Sequence, residues 1–100
     1  MLNSRQRAQL RAMANALDTI LQIGKGGITE NVVAQVSDAL AARELIKGRV
    51  LESSMLSSQE AADELARLCR AESVQTIGSR FVLYKENHEI PKEKRIRLVK

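Results

Sequence analysis

The residues Ile23-Gly24-Lys25-Gly26-Gly27-Ile28-Thr29 put three glycines and a lysine between an apolar run and an amphipathic one. Glycines let backbone N–H groups approach an anion closely, and lysine adds a point charge, so the stretch suits phosphate. Spacing then sorts the kinds of phosphate. A nucleotide-binding P-loop needs G-x-x-x-x-G-K-[ST], but here Gly26 follows Lys25 and Thr19 holds the first glycine position. The dinucleotide fingerprint G-x-G-x-x-G fails at Thr29. Two readings stay open. One is a plain strand-to-helix turn, for which one or two glycines at positive φ suffice. The other is an anchor for a nucleic-acid backbone, because Gly24-Lys25-Gly26-Gly27 is a G-x-x-G pattern. KH domains clamp nucleic acid with such a loop, although there it joins two helices. In the second reading the loop amides and the N-terminus of the next helix, capped by Thr29, form an anion site.

Other reactive residue types offer little. Cys69 falls on an apolar helical stripe and reads as core. His88 stands in a polar tail with no Cys/His cluster for a metal. Glu60, Asp63 and Glu64 begin a helix, where acids complement the dipole. No pair of acids is spaced for acid–base work, so no catalysis, cofactor or metal is expected. Phe81 and Tyr84 are the two aromatics; on one strand they face opposite sides, so at most one can meet RNA. Recognition by stacking bases on several aromatics is therefore not expected. Binding should rest on phosphates and sugars, with steep salt dependence and weak sequence preference. Lys47 with Arg49 on one strand face, and Arg7 with Arg11 on one helix flank, either extend such a patch or are solvated faces.

These residues must be held by one small body. A chain of 100 residues, 44% hydrophobic, fits a single domain. At that length roughly two-thirds of the unfolded surface is buried. One cysteine allows no internal disulfide, which points to a reducing cytoplasm. No apolar stretch reaches the roughly 18 residues of a membrane span. MLNSRQRAQLRAMANAL has no continuous apolar region of the signal-peptide kind. A cytoplasmic monomer is expected, without membrane or small-molecule partners. The 16 basic and 12 acidic residues give a net charge of +4, with the excess in Arg5, Arg7 and Arg11, in the glycine loop, and from Lys92 to Lys100. Basic ends and a basic loop on a near-neutral body suit a polyanion partner.

Periodicity supplies the elements. Leu10, Met13, Ala14 and Leu17 form a helical stripe over 4–17, with Asn3 or Ser4 as N-cap. Residues 19–23 read as a strand, 30–43 as a helix burying Val32, Val33, Val36, Ala39 and Leu40, and 45–51 as a strand. Ser57 and Glu60 form a capping box for a helix over 58–71, striped by Ala61, Ala62, Leu65, Leu68 and Cys69. VQTI-GS-RFVLYK reads as a hairpin with a II′ turn at Gly78-Ser79. The order α-β-α-β-α-β-β predicts a layered α/β domain over 1–86 with right-handed crossovers. A basic tail over 87–100 is left either without fixed structure or as one helical turn begun at Pro91.

Four blocks in order resemble the CRM domain (chloroplast RNA splicing and ribosome maturation) in its stand-alone bacterial, YhbY-like form. They are Leu10-Arg11-Ala12-Met13-Ala14, the glycine loop, Ala39 to Lys47, and Val74-Gln75-Thr76-Ile77-Gly78 with Leu83-Tyr84-Lys85. The resemblance spans roughly residues 4–86. It implies a four-stranded mixed sheet packed with three helices, similar to the C-terminal domain of a bacterial translation initiation factor. It also implies RNA binding, with Gly24 to Gly27 as the contact, and for single-domain bacterial members an association with precursors of the large ribosomal subunit. Three positions depart from the family's usual pattern: Thr19 for proline, Gly48 for a β-branched residue, which should weaken its strand, and Lys85 for arginine, which loses bidentate geometry. The expected function is a non-enzymatic RNA-binding assembly factor acting on ribosomal RNA in pre-ribosomal particles. Its expected contacts are Gly24, Lys25, Gly26, Gly27, Thr29, Arg7, Arg11, Lys47, Arg49 and Lys85. A protein-interaction module of the translation machinery and a small-nucleotide enzyme are the alternatives.

Overall fold

A computed structural model describes residues 2–100. Its elements are α1 (Ser4–Ala14), β1 (Leu21–Ile23), α2 (Glu30–Arg43), β2 (Leu45–Val50), α3 (Ser58–Cys69), β3 (Glu72–Ile77) and β4 (Arg80–Tyr84), with short 3-10 turns at Glu52–Ser54 and Lys92–Lys94. The α-β-α-β-α-β-β order is the one expected. The strands form one mixed sheet, β1-β2-β4-β3, with β1 parallel to β2 and β4 antiparallel to both its neighbours.

This topology decides which face each helix covers. The crossovers β1-α2-β2 and β2-α3-β3 both join parallel strands and step the same way across the sheet. Crossovers of one hand then place both helices on one face. Val36 and Leu40 of α2 and Ala61, Ala62, Leu65 and Cys69 of α3 do share one core with Ile23, Ile46, Phe81 and Leu83. The opposite face is left to α1, whose Leu10 and Ala14 pack on Leu45, Val74, Val82 and Tyr84. Both aromatics are thus core residues, one on each side of the sheet, and neither meets solvent as a stacking platform.

Capping chemistry sets the helix ends. Asn3, not Ser4, caps α1 and forms a capping box with Gln6. Thr29 caps α2, and the Ser57–Glu60 capping box starts α3 as expected. The helix expected to reach residue 71 stops at Cys69, because Arg70 turns left-handed at φ 56°. Likewise α1 ends at Ala14 rather than 17, and Met13 lies half out of the core. The first strand is shorter than 19–23: Ile20 makes one ladder-like bond, to the Lys47 carbonyl, but stays partly exposed. Residues 87–100 run back along α1. Ile96 and Leu98 pack onto the α1 core, and the Gln9 amide bonds the backbone of Arg97 and Val99.

Candidate nucleic-acid interface

The glycine loop leaves β1 at its carboxyl end, beside the end of β2, since Ile23 is in register with Val50. Ligand-binding loops of open α/β sheets sit at such strand ends. Two of its glycines have a local cause. Gly26 and Gly27 take φ of 98° and 67°, in the left-handed region where a Cβ is strained. A Cβ on Gly24 would sit 3.4 Å from Leu51 Cδ1, in ordinary contact, so space alone does not demand glycine there. The turn closes with the Gly27 amide donating to the Gly24 carbonyl at 3.0 Å. Lys25 is exposed at its tip, and among the described residues it has no ion pair. The Thr29 hydroxyl accepts from the Val32 amide at 3.3 Å and caps the start of α2.

Strand register carries two arginines to this end. Arg49 on β2 lies directly opposite Arg80 on β4, and Gln22 of β1 is Arg49's other neighbour. Both guanidiniums are on the α1 side, because Gly48, Val50 and Phe81 fill the other. Both arginines are exposed. Among the described residues neither guanidinium has a hydrogen-bond or salt-bridge partner. The Gly78-Ser79 turn is at this end too, with the Val50 amide donating to the Ser79 carbonyl at 2.7 Å. Lys47 is two residues, roughly 7 Å, further along β2; its ammonium donates to the Ala14 carbonyl at 3.3 Å and so caps α1.

The remaining expected contacts are elsewhere. Arg7 is half-buried at the opposite end of the sheet, bonded to the Ser73 carbonyl and paired with Glu72 at 3.6 Å. Arg11, one turn along α1, is exposed on the outer surface of that helix. Lys85 follows Tyr84, about five residues or roughly 17 Å from Arg80, and lies on the α2/α3 side near Cys69. The structure therefore gathers Gly24, Lys25, Gly26, Gly27, Thr29, Lys47 and Arg49 at one end and separates Arg7 and Lys85 from them. It adds Arg80, which sequence reasoning missed. The available signal was its position just past the Gly78-Ser79 turn, but pairing it with Arg49 requires knowing that β4 lies between β2 and β3.

The other reactive residue types are placed as follows. Cys69 is buried, and desolvation pushes its thiol pKa up, with Lys85 opposing, so the thiol stays protonated. Among the described residues no group of three His, Cys, Asp or Glu side chains is placed to hold a metal ion. No described helix is long and apolar enough to cross a membrane.

The sequence profile of the CRS1/YhbY (CRM) domain matches residues 2–85. The chain belongs to the CRM domain family. Among CRM relatives, "Probable RNA-binding protein YqeI" of Bacillus subtilis is 44% identical over 89 residues, covering 89% of this chain and 93% of that one. "RNA-binding protein" of Haemophilus influenzae is 34% identical over 88 residues, covering 88% and 89%. The solution structure of the hypothetical protein SAV1595 from Staphylococcus aureus superposes with a TM-score of 0.77 at 41% identity, covering 99% of this chain and all of that one. The three-helix, four-strand CRM architecture is thus seen in a solved relative.

Proposed function

We propose that this CRM domain binds RNA, without catalysis, through its GKGG loop and the cations beside it, and that its target is ribosomal RNA in precursors of the large subunit. The observation that carries RNA binding is the convergence of Lys25, Arg49 and Arg80, unpaired among the described residues, on the end of the sheet that bears the glycine loop. Relatives covering most of the chain are named for RNA binding, which supports the same partner. The ribosomal target rests on the family's association with large-subunit precursors.

Electrostatics chooses the side of approach. The depression beside Gly26 and Gly27 on the α3 side is lined by Glu60 and by Glu64, the latter paired with Arg67, and by no lysine or arginine. The backbone therefore passes the loop on the α1 side, over Arg49 and Arg80. Gly24 to Gly27 and Thr29 shape the loop, Lys25 meets a phosphate, and Lys47 holds α1 while adding charge. Arg7, Arg11 and Lys85 take part only with an RNA long enough to wrap beyond this end.

Lys25→Glu tests the loop without touching a glycine that the turn needs. We expect the folded variant to lose about tenfold in affinity or more for a ribosomal RNA fragment, as one cation becomes an anion; unchanged affinity refutes the loop's role. Neutralising about four phosphates should give a log–log salt slope near about −3, whereas a flat plot favours a protein-interaction module. Crosslinking in cells separates the targets: sites scattered over messenger RNAs would remove the ribosomal assignment and leave RNA binding standing.

A further inference from the structure

The α1 face of the sheet is only half covered. Ending at Ala14, α1 packs over the Val74, Val82 and Tyr84 end and leaves the loop end open. A cleft of about 410 Å³ lies there, between the α1–β1 connection and the sheet. That volume is within the ~300–1,000 Å³ of clefts that seat small ligands. Lys47, Gln75, Ile77, Arg80 and Val82 line it on the sheet side, and Arg49 stands beside it, in register with Arg80. One row across the sheet runs Gln22, Arg49, Arg80, Ile77; the next runs Lys47, Val82, Gln75. Ile77 is 62% exposed, an apolar side chain beside Arg80. Asn15 and Asp18 form the opposite wall.

Two features are costly unless something binds. Like charges directly across an antiparallel pair destabilise it, and Arg49 faces Arg80 with neither guanidinium in an ion pair among the described residues. The exposed Ile77 next to them gains only if an apolar surface covers it. An anion joined to a flat, partly apolar ring answers both. We propose that this cleft seats one unpaired RNA nucleotide, with its base on Ile77 and its phosphate at the cleft mouth, between Arg80 and the neighbouring Arg49. The Arg80 plane stacks on the base, a role guanidiniums share with aromatics in RNA recognition. The base edge faces Asn15, Asp18 and Gln75, which offer both donors and acceptors. Asp18 accepts from a base amino or imino group and repels phosphate, which fixes the nucleotide's direction.

This rests on the RNA-binding reading and deepens it, because it gives the domain a preference for single strands and for particular bases. A phosphate-only interface would have neither. Duplexed bases cannot reach the floor, so duplex RNA is held by the loop and the arginines alone.

The full-length chain, isotope-labelled, is titrated with short single-stranded RNAs of different sequence and with a duplex of equal length. We expect the side-chain amide resonances of Asn15 and Gln75 to shift with single strands and not with the duplex; shifts confined to the loop residues would overturn the cleft. The variant Ile77→Ser with Gln75→Ala leaves net charge unchanged and alters no buried residue. It should lose roughly tenfold for single strands, as expected for a base contact of about 1–3 kcal/mol, and little for duplex. Equal affinity for both RNAs in that variant, with Lys25→Glu still impaired, refutes the cleft and leaves RNA binding intact. Wild-type protein that binds neither RNA refutes both.

Discussion

At Gly48 the middle strand β2 lacks a side chain, and the ring of Phe81 on β4 occupies the space. The two residues are register partners, and a Cβ at position 48 would sit 2.3 Å from Phe81 Cζ and 2.9 Å from Leu21 Cδ1. A glycine in a strand interior loses packing, which is why the sequence alone marks it as a weak point. Here the lost contacts return through Phe81, which is fully buried on the same face. A β-branched residue there would improve local strand propensity and collide with that ring. Gly48→Val is expected to destabilise the domain by about 1–3 kcal/mol, the scale of overpacking, read from the urea midpoint. A variant as stable as the parent would show that Phe81 repacks without cost. The glycine loop teaches the same lesson from the other side: positive φ accounts for Gly26 and Gly27 through the turn, whereas a Cβ at Gly24 would meet Leu51 only in ordinary contact. On the proposed reading, what IGKGGIT contributes to binding is the charge of Lys25 and the place of the turn.

At the scale of elements, local chemistry was legible and long-range chemistry was not. Thr29 and the Ser57–Glu60 box show in the sequence because a cap and its amide are three residues apart. The tight Gly78-Ser79 hairpin shows for the same reason, with positive φ at Gly78 alone of the pair. The Arg49–Arg80 pair and the docking of residues 87–100 do not, since both depend on partners more than 30 positions apart. Glu44 is the clearest case. It reads as an ordinary polar helix end, but it is 1% exposed, with φ at 63°. Its Oε2 accepts from the Asn87 amide and its Oε1 from the Ile96 amide, each at 2.8 Å, while its carbonyl accepts from the Lys85 amide. One carboxylate thus ties the end of α2 to both ends of the returning segment. Glu44→Ala leaves two amides without acceptors, at a cost on the order of 2 kcal/mol, and should free residues 92–100 first. Hydrogen exchange at the Ile96 amide reads this directly. Exchange as slow as in the parent would mean that Ile96 and Leu98 hold the segment without the clasp.

At the scale of the whole molecule, the sheet separates two cores, and their sizes predict how the domain fails. The α2/α3 side is an extensive apolar cluster; the α1 side is smaller and is completed by Ile96 and Leu98 of the returning segment. Tyr84 belongs to the smaller core and is 4% exposed. Burial, then the nearby carboxylates of Glu44 and Glu86, push its phenol from 10.0 up to about 12, with Arg95 opposing. A raised phenol pKa means that the folded state holds its proton more tightly than the unfolded chain. The associated stability is complete below pH 10, the unfolded value, and is lost as pH rises from there through about 12. The smaller core should therefore open in that window, since the phenolate cannot stay among Leu10, Leu45 and Val82. Because the chain has one tyrosine and no tryptophan, near-ultraviolet phenolate absorbance reports Tyr84 alone. Its midpoint is expected near 12 in the folded protein and near 10 in concentrated urea. Glu44→Gln removes one of the repelling charges and should move the folded midpoint down. A midpoint of 10 in folded protein would mean that the α1 core admits water at Tyr84, and with it that the segment after Asn87 does not close that side of the sheet.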